Sequence, residues 1–212
     1  MKIALIGATG YVGSAILQEA LARGHAVTAL VKQPEKVAAQ DGVRAVGTDV
    51  LAADELAAQL DGHDAVISAF SGHAQGDVLG YYLQGMASII AATKRAGVPR
   101  LLVVGGAGGL EVAPGVQLLD TSAFPAEWKA TAEGARRALA RLREETELDW
   151  TVLAPSAHLE PGARTGRFRL GADSLLADPD GNSHISLADY ALAMIDELER
   201  PAHSRTRFTV GY

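Results

Sequence analysis

Short apolar runs alternate along the chain with longer segments in which apolar residues recur at helical spacing. The runs predict buried strands, because parallel strands covered on both faces are apolar at nearly every position. These strands lie at Lys2–Ile6, His25–Val31, Val43–Gly47, Asp64–Ala69, Arg100–Val104 and Trp150–Ala154. The periodic segments predict helices at Tyr11–Arg23, Asp54–Leu60, Leu79–Arg95 and Pro125–Glu145. Strand and helix units joined this closely predict an α/β fold with a doubly wound parallel sheet.

The final segment, from residue 156 onwards, departs from this alternation. Its pattern predicts a helix at Leu187–Glu199, with Ser186 as its N-cap. It also predicts short strands at Arg164–Leu170, Ser174–Leu176 and Arg207–Val210. We expect residues 156–212 to form a small lobe beside the carboxyl ends of the sheet, where ligands bind in such folds. No linker divides the chain, so residues 1–212 are predicted to form one domain.

Composition narrows the classes of protein to which this chain can belong. The net charge of −6 disfavours a nucleic acid or an anionic membrane as partner, because both attract basic surfaces. There is no cysteine, which excludes disulfides and thiolate chemistry, and the histidines show no metal-ligand spacing. No apolar run is long enough to span a membrane, and Met1–Ile6 is too short for a signal sequence. We therefore expect a soluble cytoplasmic protein. Its composition does not distinguish a monomer from a homodimer, and we expect one of these two states.

A glycine-rich turn joins the first predicted strand to the first helix, in the order Gly7-Ala8-Thr9-Gly10-Tyr11-Val12-Gly13. Gly7 permits the tight turn, Gly10 lets a pyrophosphate approach the backbone, and Gly13 lets the helix pack closely on the sheet. The helix N-terminus then offers free N–H groups to the phosphates. We expect the whole turn to bind a dinucleotide, including Thr9, Tyr11 and Val12. A merely flexible loop is the alternative, which the preceding strand and following helix disfavour.

The glycine spacing, with three residues per step, resembles the extended and atypical branches of the short-chain dehydrogenase/reductase family. The resemblance covers nearly the whole chain and rests on four segments, 4–10, 47–50, 103–108 and 185–190. Within that family the chain is most similar to the atypical NAD(P)H-binding proteins, which include biliverdin reductase B and the NmrA-like redox sensors. The resemblance implies a Rossmann-like fold with a nicotinamide dinucleotide as cofactor.

The end of the second strand bears on the choice of dinucleotide. Sites selective for NAD usually place a carboxylate there, on the ribose 2′-hydroxyl. Here the strand ends Ala29-Leu30-Val31-Lys32-Gln33, without a carboxylate, and Lys32 can meet a 2′-phosphate. We therefore predict NADP(H), with NAD(H) as the alternative if Lys32 is only a solvated lysine at a strand end.

The remaining cofactor contacts follow from the resemblance and from strand ends. The resemblance implies that Asp49 reaches the adenine amino group and that Val50 packs on the ring, although Asp49 can instead cap the following turn. Small residues after the fourth strand should let the ribose and nicotinamide pass over the sheet edge, at Ala69, Phe70 and Ser71. The ends of the fifth and sixth strands should line the nicotinamide, at Gly105, Pro155 and Ser156.

The catalytic pair of this family, Tyr-x-x-x-Lys on one helix face, is missing from the chain. In that pair the lysine lowers the tyrosine pKa, and the tyrosine delivers the proton that accompanies hydride transfer. Four tyrosines are followed four residues later by Ala15, Gly85, Met86 and Met194, and Tyr212 ends the chain. The loop Gly105–Gly109, where a partner serine is expected, contains no hydroxyl. The standard mechanism of carbonyl reduction is therefore excluded.

Two residues are candidates for catalysis. Lys129 lies at the start of the helix before the sixth strand, which should face the nicotinamide, and His158 follows that strand. Trp128 can stack on a flat acceptor, but a tryptophan buried in the core at the helix start is the favoured interpretation. His158 can equally be a plain loop histidine.

These features predict an oxidoreductase that transfers hydride from NADP(H) to a flat redox acceptor, such as a flavin or a quinone. Such acceptors need little acid catalysis, since water can supply the proton. One alternative is an NmrA-like protein that binds NADP(H) without turnover, as a redox sensor or protein-binding module. Another is a sugar enzyme similar to the NAD(P)-dependent epimerases and dehydratases.

Overall fold

The computed structural model describes residues 1–73 and 75–212. In chain order the strands of these residues are β1 Lys2–Ile6, β2 Ala26–Val31, β3 Val43–Gly47, β4 Ala65–Ser68, β5 Arg100–Val104, β6 Glu111–Ala113, β7 Val116–Gln117, β8 Asp149–Ala154, β9 His158–Glu160, β10 Arg169–Gly171, β11 His184–Ser186 and β12 Thr206–Gly211. Eight of these strands form one central sheet, in the order β10-β12-β8-β5-β4-β1-β2-β3. The neighbours in this sheet are parallel, except that β10 runs antiparallel to β12 at the edge.

Helices cover both faces of the sheet, as the sequence predicts. Successive side chains of a strand point to opposite faces, so Ile3 and Leu5 enter one core and Ala4 and Ile6 the other. The first core is closed by α1 and α5, and the second by α2, α3 and α4. The helices are α1 Tyr11–Ala22, α2 Ala53–Leu60, α3 Val78–Arg95, α4 Lys129–Arg143 and α5 Leu187–Glu199.

The chain changes direction across the sheet between β1 and β4. From β1 it proceeds outwards through β2 to β3, and then returns to the other side of β1 as β4. Loops leaving β1 and β4 therefore diverge and open a crevice at the carboxyl ends of the strands, which is where ligands bind in open α/β sheets. The doubly wound, Rossmann-like fold predicted from the sequence is confirmed.

Several element boundaries differ from the predictions. The helix predicted from Pro125 begins as α-helix only at Lys129, after a 3₁₀ turn at Ala126–Trp128. The strand predicted at Arg164–Leu170 is reduced to β10, and Ser174 makes only a single bridge, to Glu111. Four short strands were missed in the sequence. Strands β6, β7 and β9 are largely exposed, and β11 has only three residues, so none has the apolar run that identifies a buried strand.

The segment after residue 156 contributes to the central sheet as well as to its carboxyl edge. Strands β12 and β10 extend the sheet beyond β8, and α5 packs against α1. The small parallel pair β9 and β11 follows the carboxyl end of β8. There the Tyr11 hydroxyl donates to the Leu159 carbonyl over 3.2 Å, so β9 lies against the first turn of α1.

The start of α5 fixes the loop before β10. The Ser186 hydroxyl accepts the Asp189 N–H at 3.0 Å, which confirms the predicted N-cap. The fully buried Asp189 carboxylate accepts hydrogen bonds from the Thr165 hydroxyl at 2.5 Å, the Gly166 N–H at 2.9 Å and the Tyr212 hydroxyl at 2.6 Å. Burial raises the pKa of Asp189, but these hydrogen bonds outweigh it and hold the pKa below its usual value.

Candidate dinucleotide site

The glycine turn lies at the point where the sheet reverses direction. Gly7 has a φ of +80°, which L side chains rarely adopt, and its N–H donates to the Leu30 carbonyl at 2.9 Å. A Cβ on Gly13 would lie 2.1 Å from the Gly7 carbonyl oxygen, so only glycine lets α1 approach this closely. No side chain caps α1, whose N-cap is Gly10. The first N–H groups of α1 therefore point, without intrahelical partners, towards the space above the turn.

A cleft of about 360 Å³ opens directly beside this turn. Its volume lies within the usual range for sites that bind small molecules, roughly 300–1,000 Å³. The cleft brings together nine of the residues predicted to bind the cofactor, namely Gly7, Thr9, Gly10, Lys32, Asp49, Val50, Ala69, Phe70 and Ser71. Its other lining residues were not predicted from the sequence, namely Ile6, Leu30, Val31, Thr48, Leu51, Gln75 and Tyr81.

An aromatic wall closes the cleft on the side of α3. The Phe70 ring meets Tyr81 edge to face, with centroids 5.3 Å apart, and stacks on Tyr82 at 5.9 Å. Burial and the nearby Asp49 carboxylate raise the pKa of Tyr81, while burial alone raises that of Tyr82 to about 12. Both phenols therefore stay neutral at physiological pH. In the sequence, the one signal of this aromatic wall is the pair of adjacent tyrosines, Tyr81 and Tyr82, near the start of a helix.

Two charged side chains stand at the outer end of the cleft. Lys32 follows β2 and is exposed, and Asp49 follows β3. The Asp49 carboxylate also accepts the Leu51 N–H at 3.0 Å, so the capping role left open by the sequence is present in the structure. One carboxylate oxygen remains outside that bond, and Asp49 still lines the cleft.

The other predicted cofactor residues lie outside this cleft. The Tyr11 hydroxyl donates to the Leu159 carbonyl, the Val12 side chain packs against the core, and the backbone N–H groups of both residues lie in the first turn of α1. Gly105 and Pro155 follow β5 and β8, which are successive strands beyond β4. The Ser156 side chain is buried, and its hydroxyl donates to the Val210 carbonyl at 3.0 Å. Its hydroxyl therefore joins two strand ends and is not free for a ligand.

The candidate catalytic residues are exposed at the carboxyl edge of the sheet. Lys129 begins α4, and His158 begins β9, where its side chain is 70% exposed and 3.9 Å from Glu160. The interpretation of Trp128 as a core residue is wrong, because 60% of it is exposed. The reason is the 3₁₀ turn, which delays α4 by one turn and leaves the indole outside the apolar face of the helix.

Other features of the described residues do not compete with this site. Between α3 and α4 a larger groove of about 750 Å³ is lined by helix side chains such as Ala87, Ala91 and Lys94, and no strand-end or glycine-turn residue lines it. Across residues 1–73 and 75–212, no His, Cys, Asp and Glu side chains cluster as metal ligands. The helices of the same residues are too short or too polar to cross a bilayer.

A doubly wound sheet with a glycine turn at its reversal point defines a Rossmann-like dinucleotide-binding protein. Consistent with that class, a family model described as NAD(P)H-binding matches residues 7–201. The chain therefore belongs to this NAD(P)H-binding family, and the resemblance proposed from the sequence is confirmed.

Three similar proteins cover essentially the same length. The YwnB protein of Bacillus subtilis is 44% identical over 99% of this chain and 98% of its own. A crystal structure from Bacteroides thetaiotaomicron, named as a candidate epimerase, is 46% identical with a TM-score of 0.93, over 100% of this chain and 96% of that one. Another from Streptococcus pneumoniae, named as a candidate NADH-flavin reductase, is 35% identical with a TM-score of 0.87, over 100% and 99%.

Proposed function

We propose that the protein is an NADP(H)-dependent oxidoreductase that transfers hydride to a flat redox acceptor such as a flavin or a quinone. The observation that carries this proposal is a dinucleotide cleft with Lys32 at its outer end, in a chain without Tyr-x-x-x-Lys. The cleft explains binding, and the missing pair explains why the acceptor must be one that needs no protein acid.

The residues at the cleft fit the cofactor. The pyrophosphate fits at the glycine turn. The absence of a Cβ at Gly13 lets the start of α1 approach the turn, and the free N–H groups of α1 can donate to the phosphates. Lys32 supplies a cation for the 2′-phosphate, and Asp49 with Val50 holds the adenine. When bound, the cofactor supplies the hydride. The chain would bind and orient it, and Ala69, Ser71, Gly105 and Pro155 would line its nicotinamide half.

The class of acceptor is inferred from the missing catalytic acid. A carbonyl substrate requires a positioned acid, and neither the five tyrosines nor the Gly105–Gly109 loop supplies the family's acid. A flavin or quinone can take its proton from water, so orientation and exclusion of bulk water suffice. The Streptococcus relative named as a candidate NADH-flavin reductase supports this class of acceptor, although its name specifies NADH. Lys129 and His158 are then the protein groups that contact the acceptor.

An epimerase-like activity is the second candidate, because the Bacteroides relative carries that name. Epimerisation through a transient ketone requires the oxidation of an alcohol, for which the enzyme must remove the hydroxyl proton. The absence of Tyr-x-x-x-Lys therefore argues against it. The non-catalytic sensor needs only the cleft, and turnover is what separates it from the oxidoreductase.

The activity test measures the loss of NADPH absorbance with FMN, FAD and small quinones as separate acceptors. We expect turnover with at least one of them. Micromolar NADPH binding without turnover on any acceptor would instead support the sensor. Conversion of nucleotide sugars without net change in the cofactor would support the epimerase.

The cofactor test compares NADPH and NADH affinities in the wild type and in Lys32→Ala. A charge-assisted contact to a phosphate contributes about 1.5–3 kcal/mol, so we expect NADPH binding to weaken roughly tenfold or more. NADH binding should stay within about twofold, since a twofold change corresponds to only about 0.4 kcal/mol. Lys36→Ala is the matched control, because Lys36 is also exposed but does not line the cleft. An unchanged preference in Lys32→Ala would disprove this account of the 2′-phosphate site.

A further inference from the structure

We propose that the acceptor binds at the start of α4, where Trp128 stacks on its ring system and Lys129 pairs with an anionic group. The ligand class is a planar, phosphate-bearing redox molecule, for which FMN is the probe. This inference rests on the proposed oxidoreductase function and identifies where its second substrate binds.

The first observation is the exposure of Trp128. The other bulky aromatic side chains of the core are almost completely inaccessible, with Trp150 at 2%, Tyr190 at 0% and Phe208 at 2% exposed. Trp128 is instead 60% exposed. A large indole surface in water is unfavourable, and covering it with another flat ring system gains both burial and stacking energy. Tyr11 is also exposed, at 56%, but its hydroxyl donates to the Leu159 carbonyl, so Trp128 is the exposed aromatic side chain that lies at the start of α4.

The second observation is that the first turns of α4 adjoin the dinucleotide cleft. The Thr131 hydroxyl lies 3.3 Å from His73 Nε2, and His73 is two residues beyond Ser71, which lines the cleft. One turn further along α4, a Cβ on Gly134 would lie 2.8 Å from the Tyr82 ring.

Tyr82 in turn stacks on Phe70, which also lines the cleft. The helix is thus packed directly behind the aromatic wall. On its other side, a Cβ on Gly108 would lie 2.7 Å from the Ala132 Cβ, which places α4 against the loop that follows β5. The start of α4 therefore lies at the carboxyl edge of the sheet, between the loops that follow β4 and β5, where the nicotinamide end of the cofactor is expected.

The third observation is the local charge. Lys129 makes no ion pair with any described residue and is exposed beside Trp128. The acidic side chain further along the helix, Glu133, is already paired with Arg136 and Arg137. Glu127 is the acidic neighbour in sequence, and it is exposed. A free lysine next to an exposed indole suits a ligand that is flat and carries a phosphate.

The transfer served by this site balances without a further reactant. The C4–H bond of NADPH breaks as a hydride leaves, an N5–H bond forms on the flavin, and the solvent supplies the one proton that completes the reduced flavin. NADP⁺ and reduced flavin are the products, so two electrons leave the nicotinamide and two enter the flavin. The protein contributes the stacking surface and the cation, and it contributes no acid.

Binding is measured first, because it does not depend on turnover. FMN and riboflavin are titrated into NADP⁺-loaded protein, and the quenching of flavin fluorescence gives each Kd. Loss of a base-on-aromatic stack costs about 1–3 kcal/mol, so Trp128→Leu should weaken both ligands about tenfold. Lys129→Ala should weaken FMN about fivefold and leave riboflavin unchanged, since riboflavin has no phosphate. NADPH affinity should remain within about twofold in both variants, a change of only about 0.4 kcal/mol.

Matched controls come from the same chain. Lys2→Ala removes an exposed lysine at the amino end of β1, and Leu170→Ala removes an apolar side chain that is 52% exposed on β10. Both should bind FMN as the wild type does. Far-ultraviolet circular dichroism confirms that each variant is folded.

The outcomes separate this inference from the proposed function. Wild-type FMN affinity in Trp128→Leu, or no FMN binding by the wild type, overturns the inference even if quinones are reduced. Equal loss of FMN and riboflavin in Lys129→Ala overturns the phosphate contact, and a site selective for the neutral quinone menadione over FMN does the same. Loss of FMN binding in Trp128→Leu together with a wild type that never oxidises NADPH supports the site and refutes the oxidoreductase.

Discussion

Substitution of Gly13 by alanine tests the packing that creates the phosphate cradle. The added methyl group would lie 2.1 Å from the Gly7 carbonyl oxygen and 2.9 Å from its carbonyl carbon, where contacts below 3.0 Å essentially never occur. Both atoms are backbone, so no side-chain rotation relieves the overlap. The start of α1 must therefore retreat from the turn by about 0.9 Å to restore a 3.0 Å contact.

This displacement has two measurable consequences. Overpacking of a well-packed interior costs about 1–3 kcal/mol, so urea unfolding should show a loss of that size. The retreat also moves the free N–H groups of α1 away from the phosphates. Losing one charge-assisted hydrogen bond, worth about 1.5–3 kcal/mol, should raise the Kd for NADPH about tenfold to a hundredfold. A fluorescence titration of NADPH measures this Kd.

Gly47→Ala is the matched control for this experiment. Its added methyl would meet only Pro34, at 3.7 Å, which is an ordinary contact, and Gly47 has no positive φ. We expect its free energy of unfolding to stay within about 0.5 kcal/mol of the wild type, with unchanged NADPH affinity. If Gly13→Ala behaves like this control in both assays, the close approach of α1 to the turn is not what forms the binding site.

Two further predictions concern the dependence of stability on pH, measured by urea unfolding. Burial raises the pKa of Tyr82 to about 12 from its usual 10.0, so the neutral phenol stabilises the fold below pH 10 and this contribution is lost as the pH rises through 12. The free energy of unfolding of Tyr82→Phe should therefore rise relative to that of the wild type by up to about 3 kcal/mol over that interval, and a difference independent of pH would contradict the assignment. The pKa of Asp189 is held below 3.8, so its contribution is present above that value and is lost as the pH falls through the lower, folded pKa. Asp189→Asn should be about 1–3 kcal/mol less stable at neutral pH, with a gap that narrows in acid; a gap independent of pH would count against it.

The sequence was sufficient for the main architecture because the central strands are buried on both faces. Burial on both faces forces nearly continuous apolar runs, as in Lys2–Ile6, and the connecting helices keep a clear period. The glycine turn could also be predicted from the sequence, because Gly7 and Gly13 satisfy steric demands that no other residue meets at those positions. Lys32 and Asp49 could be placed because strand ends converge at one edge of a parallel sheet.

Other features depended on contacts between residues distant in sequence. Tyr81 reaches the cleft only because α3 returns across the sheet beside β4, and no local pattern marks that return. Trp128 was expected in the core because its apolar side chain precedes a helix, yet a single 3₁₀ turn leaves it exposed. The position of Ser156 in the sequence indicated a contact with the cofactor. In the structure its hydroxyl donates a hydrogen bond to the Val210 carbonyl at the neighbouring strand end.

The sequence by itself therefore determined the fold, the glycine turn and the absence of the family's catalytic pair. The fold follows from the local periodicity of apolar residues, and the glycine turn from the conformations and close contacts that only glycine allows. The absence of the catalytic pair follows from the spacing of residues along a helix. The tertiary structure alone decided which side chains share the cleft and which polar groups are already bonded. It also decided that Trp128 and Lys129 are exposed at the start of α4. The reason is physical, because availability is the outcome of long-range packing and hydrogen bonding, and neither is encoded in the immediate neighbours of a residue.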